Sequence, residues 1–199
     1  ESMRMAILNA IYYKARFHTV FDKKKTKKDT FYAQDGKVAA DFMHQNMDSH
    51  FFIDNKDYAA TSLALSNSTS LTLVLPKEGK DLRKLMEQKG FLQNLLEDDG
   101  DGAEFGIVNL SLPKFKIHSK LLLADTLKAM GVTSLFDTAA ELDGITDEKP
   151  LFVSNIQQET SIALDEEGVE ASAYTEIGMT GAANIKHPKI LHLNLNREF

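Results

Sequence analysis

The stretch from Asp165 to Thr175 is where residue types and spacing indicate a chemical role. It follows the apolar run Ser161–Leu164, which has the composition of a strand, and it contains a glycine at Gly168. Strand alternation beyond Gly168 puts small, mostly apolar residues on one face and polar residues on the other. The first face carries Val169, Ala171, Ala173 and Thr175, and the second carries Glu170, Ser172, Tyr174 and Glu176. The predicted chemistry is main-chain hydrogen bonding by a strand that slots into a sheet, followed by an exposed loop over 177–184.

Catalytic side chains are present without the spacing that catalysis needs. Ser, His and Asp all occur, but no G-x-S-x-G elbow appears. The segment Asp99–Gly102 is similar to a calcium loop, yet Ala103 occupies a required ligand position, so we predict a turn. The six histidines show no metal-ligand spacing; they are His18, His44, His50, His118, His187 and His192. We therefore expect no enzyme activity, no metal and no cofactor.

Composition limits the class of protein further. The chain has 199 residues, a formal net charge of −6, no Cys, no Trp and 43% hydrophobic residues. This length and apolar content suit one domain with a real core. The mild acidity argues against nucleic acid as the main partner, and no apolar run reaches membrane-spanning length, so we expect neither partner. Because the sequence begins at Glu1 within an apparent strand entry, we expect it to be an internal part of a longer protein.

Hydrophobic periodicity predicts more strands than helices, without regular alternation between them, which indicates an α+β class. A helix competes with the first strand over Met3–Arg16. The predicted elements are a central-sheet strand over 5–14, a meander and small sheet over 30–75, helical segments over 80–97, a strand over 105–112, a helix over 119–130, a strand over 151–164, a hinge and loop over 165–189 and a return strand over 190–199.

Six segments resemble the serpin family, in family order. Asn9–Phe17 resembles N-A-[IV]-Y-F-K-[GA]-x-W, and Asp165–Thr175 resembles the hinge [DE]-E-x-G-[TSV]-E-A-[AS]-[AG]-x-T. The other four are Leu73–Pro76, Leu110–Ile117, Met130–Phe136 with Asp143–Ile145, and Asn196–Phe199. The resemblance implies a partial serpin domain, with a large mixed β-sheet, further sheets and helices, of which this chain is the C-terminal half without the last two strands.

The resemblance also implies a mechanism, namely suicide-substrate inhibition of serine proteases, and possibly of some cysteine proteases. The protease cleaves the exposed loop, and the loop inserts into the large sheet and traps the acyl-enzyme. The implied hinge comprises Glu166, Glu167, Gly168, Val169, Glu170, Ala171, Ser172 and Ala173. The implied sheet-opening residues are Asn9, Phe17 and Gln158, of which Phe17 replaces the usual Trp and Gln158 a common His. At the C-terminal end of the chain, Glu198 replaces a usual Pro.

The family places the reactive bond fourteen positions after the hinge glycine, at Ala182–Ala183, which implies an elastase-like target. Met179 and Lys186 are alternatives, because the loop is a few residues longer than in most members. Met179 would suit chymotrypsin- or elastase-like proteases, and Lys186 would suit trypsin-like proteases. The resemblance further implies a monomer that acts outside the cell or at its surface.

Other interpretations stay open. The hinge sequence is also compatible with a helix start. The lysine-rich run Lys23–Lys28 fits either a solvated loop or a patch that binds glycosaminoglycan or nucleic acid. A serpin-fold protein that no longer inhibits, and serves as a carrier, a chaperone or a plain protease substrate, is the alternative function. The small uncharged residues Val169, Ala171 and Ala173 favour an inhibitor, because a charge on that face would be buried unpaired.

Overall fold

The computed structural model describes residues 5–96, 102–142, 144–146, 150–169 and 188–199. The chain divides into two compact units, and each is considered by itself below. Unit 1 comprises Glu1–Tyr13 and Lys116–Ala163, and unit 2 comprises Lys14–Phe115 and Leu164–Phe199.

Unit 1 is built around two parallel strands, β1 (Met5–Ile11) and β9 (Val153–Asp165). They run in register from Ala6 opposite Asn155 to Ile11 opposite Thr160. The strand β8 (Phe115–Leu122) also pairs with β9, and the helix α3 (Ala124–Ala129) follows it. The apolar residues of β1 that predict a buried central strand are exposed within this unit, with Leu8 at 72%.

Unit 2 contains a six-stranded sheet in the order β11, β7, β4, β5, β6, with β3 paired to β4. The strands are β3 (Lys27–Ala33), β4 (Gly36–Asp54), β5 (Tyr58–Ala64), β6 (Ser70–Pro76), β7 (Ala103–Pro113) and β11 (Lys189–Asn194). Neighbouring strands are antiparallel, except that β11 runs parallel to β7. Two short strands, β2 (Ala15–Arg16) and β10 (Gly168–Val169), pair with each other apart from this sheet.

The core of unit 2 lies on one face of this sheet, where strand alternation collects apolar side chains. Met43, Val108, Leu112 and Leu193 are at most 1% exposed. A smaller cluster forms where the helices α1 (Leu82–Met86) and α2 (Phe91–Leu96) cover Ile53, Tyr58 and Ala60. The side chain of Asp81 begins α1 by accepting hydrogen bonds from the backbone amides of Arg83 and Lys84.

Several predicted boundaries need correction. The helix predicted over 119–130 begins only at Ala124, because residues as far as Leu122 extend the strand β8. Within the meander and small sheet predicted over 30–75, residues 36–54 form one 19-residue strand, β4, whose pairing with β7 shifts register between Met47 and His50. The first strand ends at Ile11 rather than at residue 14, and the return strand begins at Lys189.

The fold class agrees with the expectation of α+β, since strands predominate and the described helices are short. Within the described ranges, no helix is both long enough and apolar enough to cross a membrane.

Candidate functional site

The predicted hinge begins as a tight reversal of the chain. The strand β9 ends at Asp165, and Glu166 and Glu167 form a two-residue turn that returns the chain as β10. Gly168 pairs with Asp165, and Val169 pairs with Leu164, both antiparallel. On its other side β10 pairs with β2, so the first residues of the hinge already form a strand between two others.

Gly168 is required at its position by a close approach of two backbones. Its φ is +138°, a conformation that residues with a side chain rarely adopt. A Cβ atom at this position would lie 2.5 Å from the carbonyl oxygen of Ala15 and 2.7 Å from the Cα of Arg16. These neighbours are backbone atoms of β2, which cannot rotate away as the end of a side chain could. The glycine therefore allows β10 to lie against β2.

The turn is anchored to the segment after β2 through main-chain hydrogen bonds. The amide of Phe17 donates to the carbonyl of Glu167 at 3.0 Å, and the amide of Phe21 donates to the carbonyl of Glu166 at 2.9 Å. Both phenylalanines are 3% exposed, and their rings meet edge to face with centroids 5.2 Å apart. Phe17, which the resemblance assigns to the mouth of the sheet, thus lies directly against the hinge turn.

Glu166 is the one described acidic residue that is buried, at 5% exposure. Its carboxylate accepts hydrogen bonds from the Lys114 ammonium and the Thr26 hydroxyl, each at 2.8 Å. Burial by itself would raise the pKa of Glu166, but the bonds from Lys114 and Thr26 outweigh it and the pKa is lowered. Glu166 is therefore held as an anion by two segments that are distant from it in sequence.

Glu167 is held from the opposite side of the turn. The Lys23 ammonium donates to one carboxylate oxygen at 2.8 Å, and the Arg16 guanidinium lies 3.7 Å from the other. The bond from Lys23 lowers the pKa of Glu167, and the same bond raises the pKa of Lys23. Lys23, one lysine of the run Lys23–Lys28, thus forms an ion pair with the hinge turn.

The remaining predicted residues fall in two places. Asn9 and Gln158 are opposite each other in the register of β1 and β9, and within the described ranges no side-chain hydrogen bond joins them. Outside the described residues lie the later hinge and loop residues Glu170, Ala171, Ser172, Ala173, Met179, Ala182, Ala183 and Lys186.

Three partners of the hinge were not predicted from the sequence, namely Lys114, Thr26 and Lys23. Lys114 lies within the segment that resembles the family's V-x-L-P-K-F-K-I motif, and Lys23 and Thr26 lie within the basic run. Both segments are recognisable in the sequence. Their hydrogen bonds to the acidic turn, which is more than 50 residues away, depend on the tertiary fold and could not be predicted. Of the described residues, no group of three or more His, Asp or Glu is placed to hold a metal.

The model of the family described as "Serpin (serine protease inhibitor)" matches residues 1–199, which is the whole chain. The chain belongs to the serpin family. Known serpins similar to it include a serine protease inhibitor of Cyanea capillata, 30% identical over 90% of this chain and 48% of that protein. Iripin-8 of Ixodes ricinus is 32% identical over 100% of this chain and 50% of that protein. The chain thus spans about half the length of these relatives.

A solved structure has the same fold as this chain. Human thyroxine-binding globulin, solved in complex with thyroxine, matches 96% of this chain and 49% of its own length. The TM-score is 0.75 and the sequence identity is 26%. The serpin fold predicted from the motifs is therefore confirmed.

Replacing Gly168 should destabilise the full-length serpin. The variant Gly168→Ala places a methyl group against the backbone of β2, and we expect it to lower the free energy of unfolding by about 1–3 kcal/mol. Urea unfolding followed by circular dichroism measures this. Gly79→Ala is the matched control, because Gly79 also has a positive φ but has no atom within 4 Å of an added Cβ. An equal loss in both variants would contradict the role of the close approach.

Neutralising Glu166 should weaken the hinge in a pH-dependent way. The variant Glu166→Gln loses its charge-assisted bond to Lys114. We expect its free energy of unfolding at pH 7 to be lower than that of the wild type by about 1–3 kcal/mol. Because folding lowers the pKa of Glu166, its stabilisation is complete above its unfolded pKa of about 4.3 and is lost as the pH falls through the lower folded value. The difference between wild type and variant should therefore shrink as the pH falls below about 4.3.

Thermal melts of both proteins across this pH range provide the measurement. Asp125→Asn is the control, because its carboxylate is fully solvated and lies 3.7 Å from Lys128. We expect that variant to melt with the wild type at every pH. A Glu166→Gln deficit that persists unchanged at low pH would show that the carboxylate charge is not what stabilises the turn.

Proposed function

We propose that the serpin containing this chain is a suicide-substrate inhibitor of serine proteases. The protease cleaves the exposed loop and forms an acyl-enzyme. The freed loop then inserts into the large sheet and distorts the attached protease before it is released. The reaction consumes the inhibitor, so the serpin is not an enzyme. This chain contributes the hinge and the strands on either side of it.

The observation that carries the proposal is the direction of β10. It runs antiparallel to β9, and farther back along β9 the strand β1 is the parallel neighbour. A loop that inserted between β1 and β9 with the direction of β10 would run antiparallel to both. It would replace one ladder of hydrogen bonds, from Ala6 to Ile11, with two. Val169 is 6% exposed, as expected of a residue on the inward face of such a strand.

The driving force for insertion is comparable with the stability of a whole domain. Insertion adds about ten main-chain hydrogen bonds, each worth about 0.5–1.5 kcal/mol, and so favours the inserted form by on the order of 10 kcal/mol. Ordinary domains are stable by about 5–15 kcal/mol. The uncleaved form is then metastable and persists because rearrangement is slow.

We assign the reactive bond to Ala182–Ala183 from the family spacing after Gly168. A small residue before the bond suits a protease with a small specificity pocket, such as an elastase-like enzyme. Met179 and Lys186 are the alternatives, since this loop is longer than in most serpins. We further propose that the protein is monomeric and acts outside the cell or at its surface, where such proteases are found.

The second candidate is a serpin-fold protein that does not inhibit proteases. The structural similarity to thyroxine-binding globulin supports it, because that structure was solved with a small molecule bound. The composition of the hinge favours the inhibitor instead, since Val169, Ala171 and Ala173 bring no charge to the inserting face.

The inhibitor should form a covalent complex with an elastase-like serine protease. We expect a band on denaturing gels whose mass is the protease plus the serpin minus the released peptide, because the acyl bond survives denaturation. Intact-mass measurement and N-terminal sequencing of the peptide should give Ala183 as its first residue. A different first residue moves the reactive bond, and complete cleavage without a complex favours the non-inhibitory alternative.

A charge on the inserting face should convert the inhibitor into a substrate. In Ala173→Arg the guanidinium would be buried unpaired, so insertion slows and the acyl-enzyme hydrolyses. We expect cleavage at the wild-type rate with little or no covalent complex. Ser172→Arg adds the same charge to the opposite face and should retain the complex. Equal loss of complex in both variants would contradict the assignment of the two faces.

A further inference from the structure

Two short sequences in the chain have the pattern Asn-x-Ser/Thr, in which the Asn side chain accepts an N-linked glycan when the middle residue is not Pro. One is Asn67-Ser68-Thr69 and the other is Asn109-Leu110-Ser111. A pattern of three residues also arises by chance, so its position in the fold decides whether it can be used. The structure places the two sequences in contrasting surroundings.

The first sequence lies in the turn that joins β5 to β6. Asn67, Ser68 and Thr69 are all exposed, and none of them belongs to a buried cluster of unit 2. Ser68 has a φ of +63°, the left-handed conformation that tight hairpin turns require. A glycan on Asn67 would therefore remain in solvent after folding, without displacing a packed side chain.

This turn is held by hydrogen bonds between near neighbours. The backbone amide of Ser68 donates to the carbonyl of Leu65 at 3.2 Å, and the amide of Leu65 donates to the carbonyl of Thr69 at 2.8 Å. The side-chain oxygen of Asn67 accepts from the Thr69 hydroxyl at 2.6 Å and from the Thr69 amide at 3.3 Å. These bonds all join residues within 65–69. The turn can therefore form in a chain that is still being exported, before distant strands have paired.

The contact between the Thr69 hydroxyl and Asn67 Oδ1 also affects the reactivity of the amide. An amide nitrogen is a poor nucleophile, because its lone pair is delocalised onto the oxygen. Loss of a proton from Nδ2 places negative charge on both atoms, and a hydrogen bond to Oδ1 stabilises that charge. Nδ2 then bonds to the anomeric carbon of a diphosphate-activated oligosaccharide. The bond from that carbon to the diphosphate oxygen breaks, the diphosphate leaves, and the amide proton goes to a base of the transferase.

The second sequence lies in the middle of β7, where the chain is paired on both sides. Asn109 is opposite Asn46 of β4 and His192 of β11. Its side-chain nitrogen lies 3.4 Å from Nδ1 of His192, and a glycan on that nitrogen would remove the contact. The hydroxyl oxygen of Ser111, which completes the pattern, is buried. The fold therefore disfavours this sequence as an acceptor.

We propose that Asn67 is the attachment site of an N-linked glycan in the exported full-length serpin, and that Asn109 is unmodified. The inference rests on the extracellular location proposed above, because such glycans are added to chains during export. It does not depend on whether the protein inhibits a protease. The amide of Ser66 donates to the carbonyl of Arg16 at 2.8 Å, so the glycan is attached beside β2, the strand that pairs with the hinge.

Full-length serpin secreted by eukaryotic cells tests the proposal. Its intact mass would be measured before and after treatment with a peptide N-glycosidase, which releases the glycan and converts the modified Asn to Asp. We expect the enzyme to remove one glycan. Peptide mapping should then find Asp at position 67 and an unchanged Asn109.

Three variants identify the groups that matter. Thr69→Val keeps the shape of the side chain but removes the hydroxyl, so we expect the glycan to be lost. Thr69→Ser is the matched control, because it keeps a hydroxyl and should keep the glycan. Ser111→Ala removes the hydroxyl of the second sequence and should leave the mass of the attached glycan unchanged. Melting curves after glycosidase treatment show whether each variant is folded.

An unmodified Asn67 in the secreted wild type would overturn the proposal, whatever the variants show. A glycan that persists at Asn67 in Thr69→Val, or one found at Asn109, would overturn the roles assigned to the two sequences. The covalent-complex assay on the same preparations reports inhibition separately. If serpin isolated from its source lies inside the cell, the proposed location fails, whereas the secreted protein still tests the acceptor.

Discussion

The burial of the Glu166 carboxylate is the constraint on which the hinge depends. An ionised carboxylate inside a protein is tolerated only when charged and polar partners replace the water it has lost. Lys114 and Thr26 supply those partners from two separate segments of unit 2. They fix the turn, and the turn sets the direction in which β10 leaves β9. If either partner were removed, the buried charge would favour a different path for the chain.

The sequence permitted prediction of the features that depend on neighbours along the chain. Glycine at 168, the alternation after it and the excess of strands all follow from local preferences, and the structure has the reversal and the strands. Two features could not be predicted because they depend on distant contacts. The side chains that hold the turn come from other segments, and Ser119–Leu122, whose apolar spacing also fits a helix, becomes a strand because β9 lies beside it. The assignments of the later hinge residues and of the reactive bond depend only on the spacing found in the family.

The two units differ in how completely they bury their apolar residues. Unit 2 holds most of the buried apolar residues, and Leu112 and Leu195 are fully buried there. In unit 1, Leu8 and Leu122 are more than half exposed, whereas Val153 of β9 is buried. Since the chain spans about half the length of its relatives, we expect further chain to cover these residues in the full-length protein. Under the proposed mechanism, the strands that would separate to admit the loop, β1 and β9, are in the less completely packed unit.

The short strand β10 also bears on the speed of insertion. Starting a new strand is the slow step in forming a ladder, because several residues must be ordered before hydrogen bonds compensate for the lost entropy. Here Gly168 and Val169 are already paired on both sides. Under the proposed mechanism, each further residue of the cleaved loop would extend this existing hairpin. Insertion would then compete with deacylation from a strand whose first pairs are already formed.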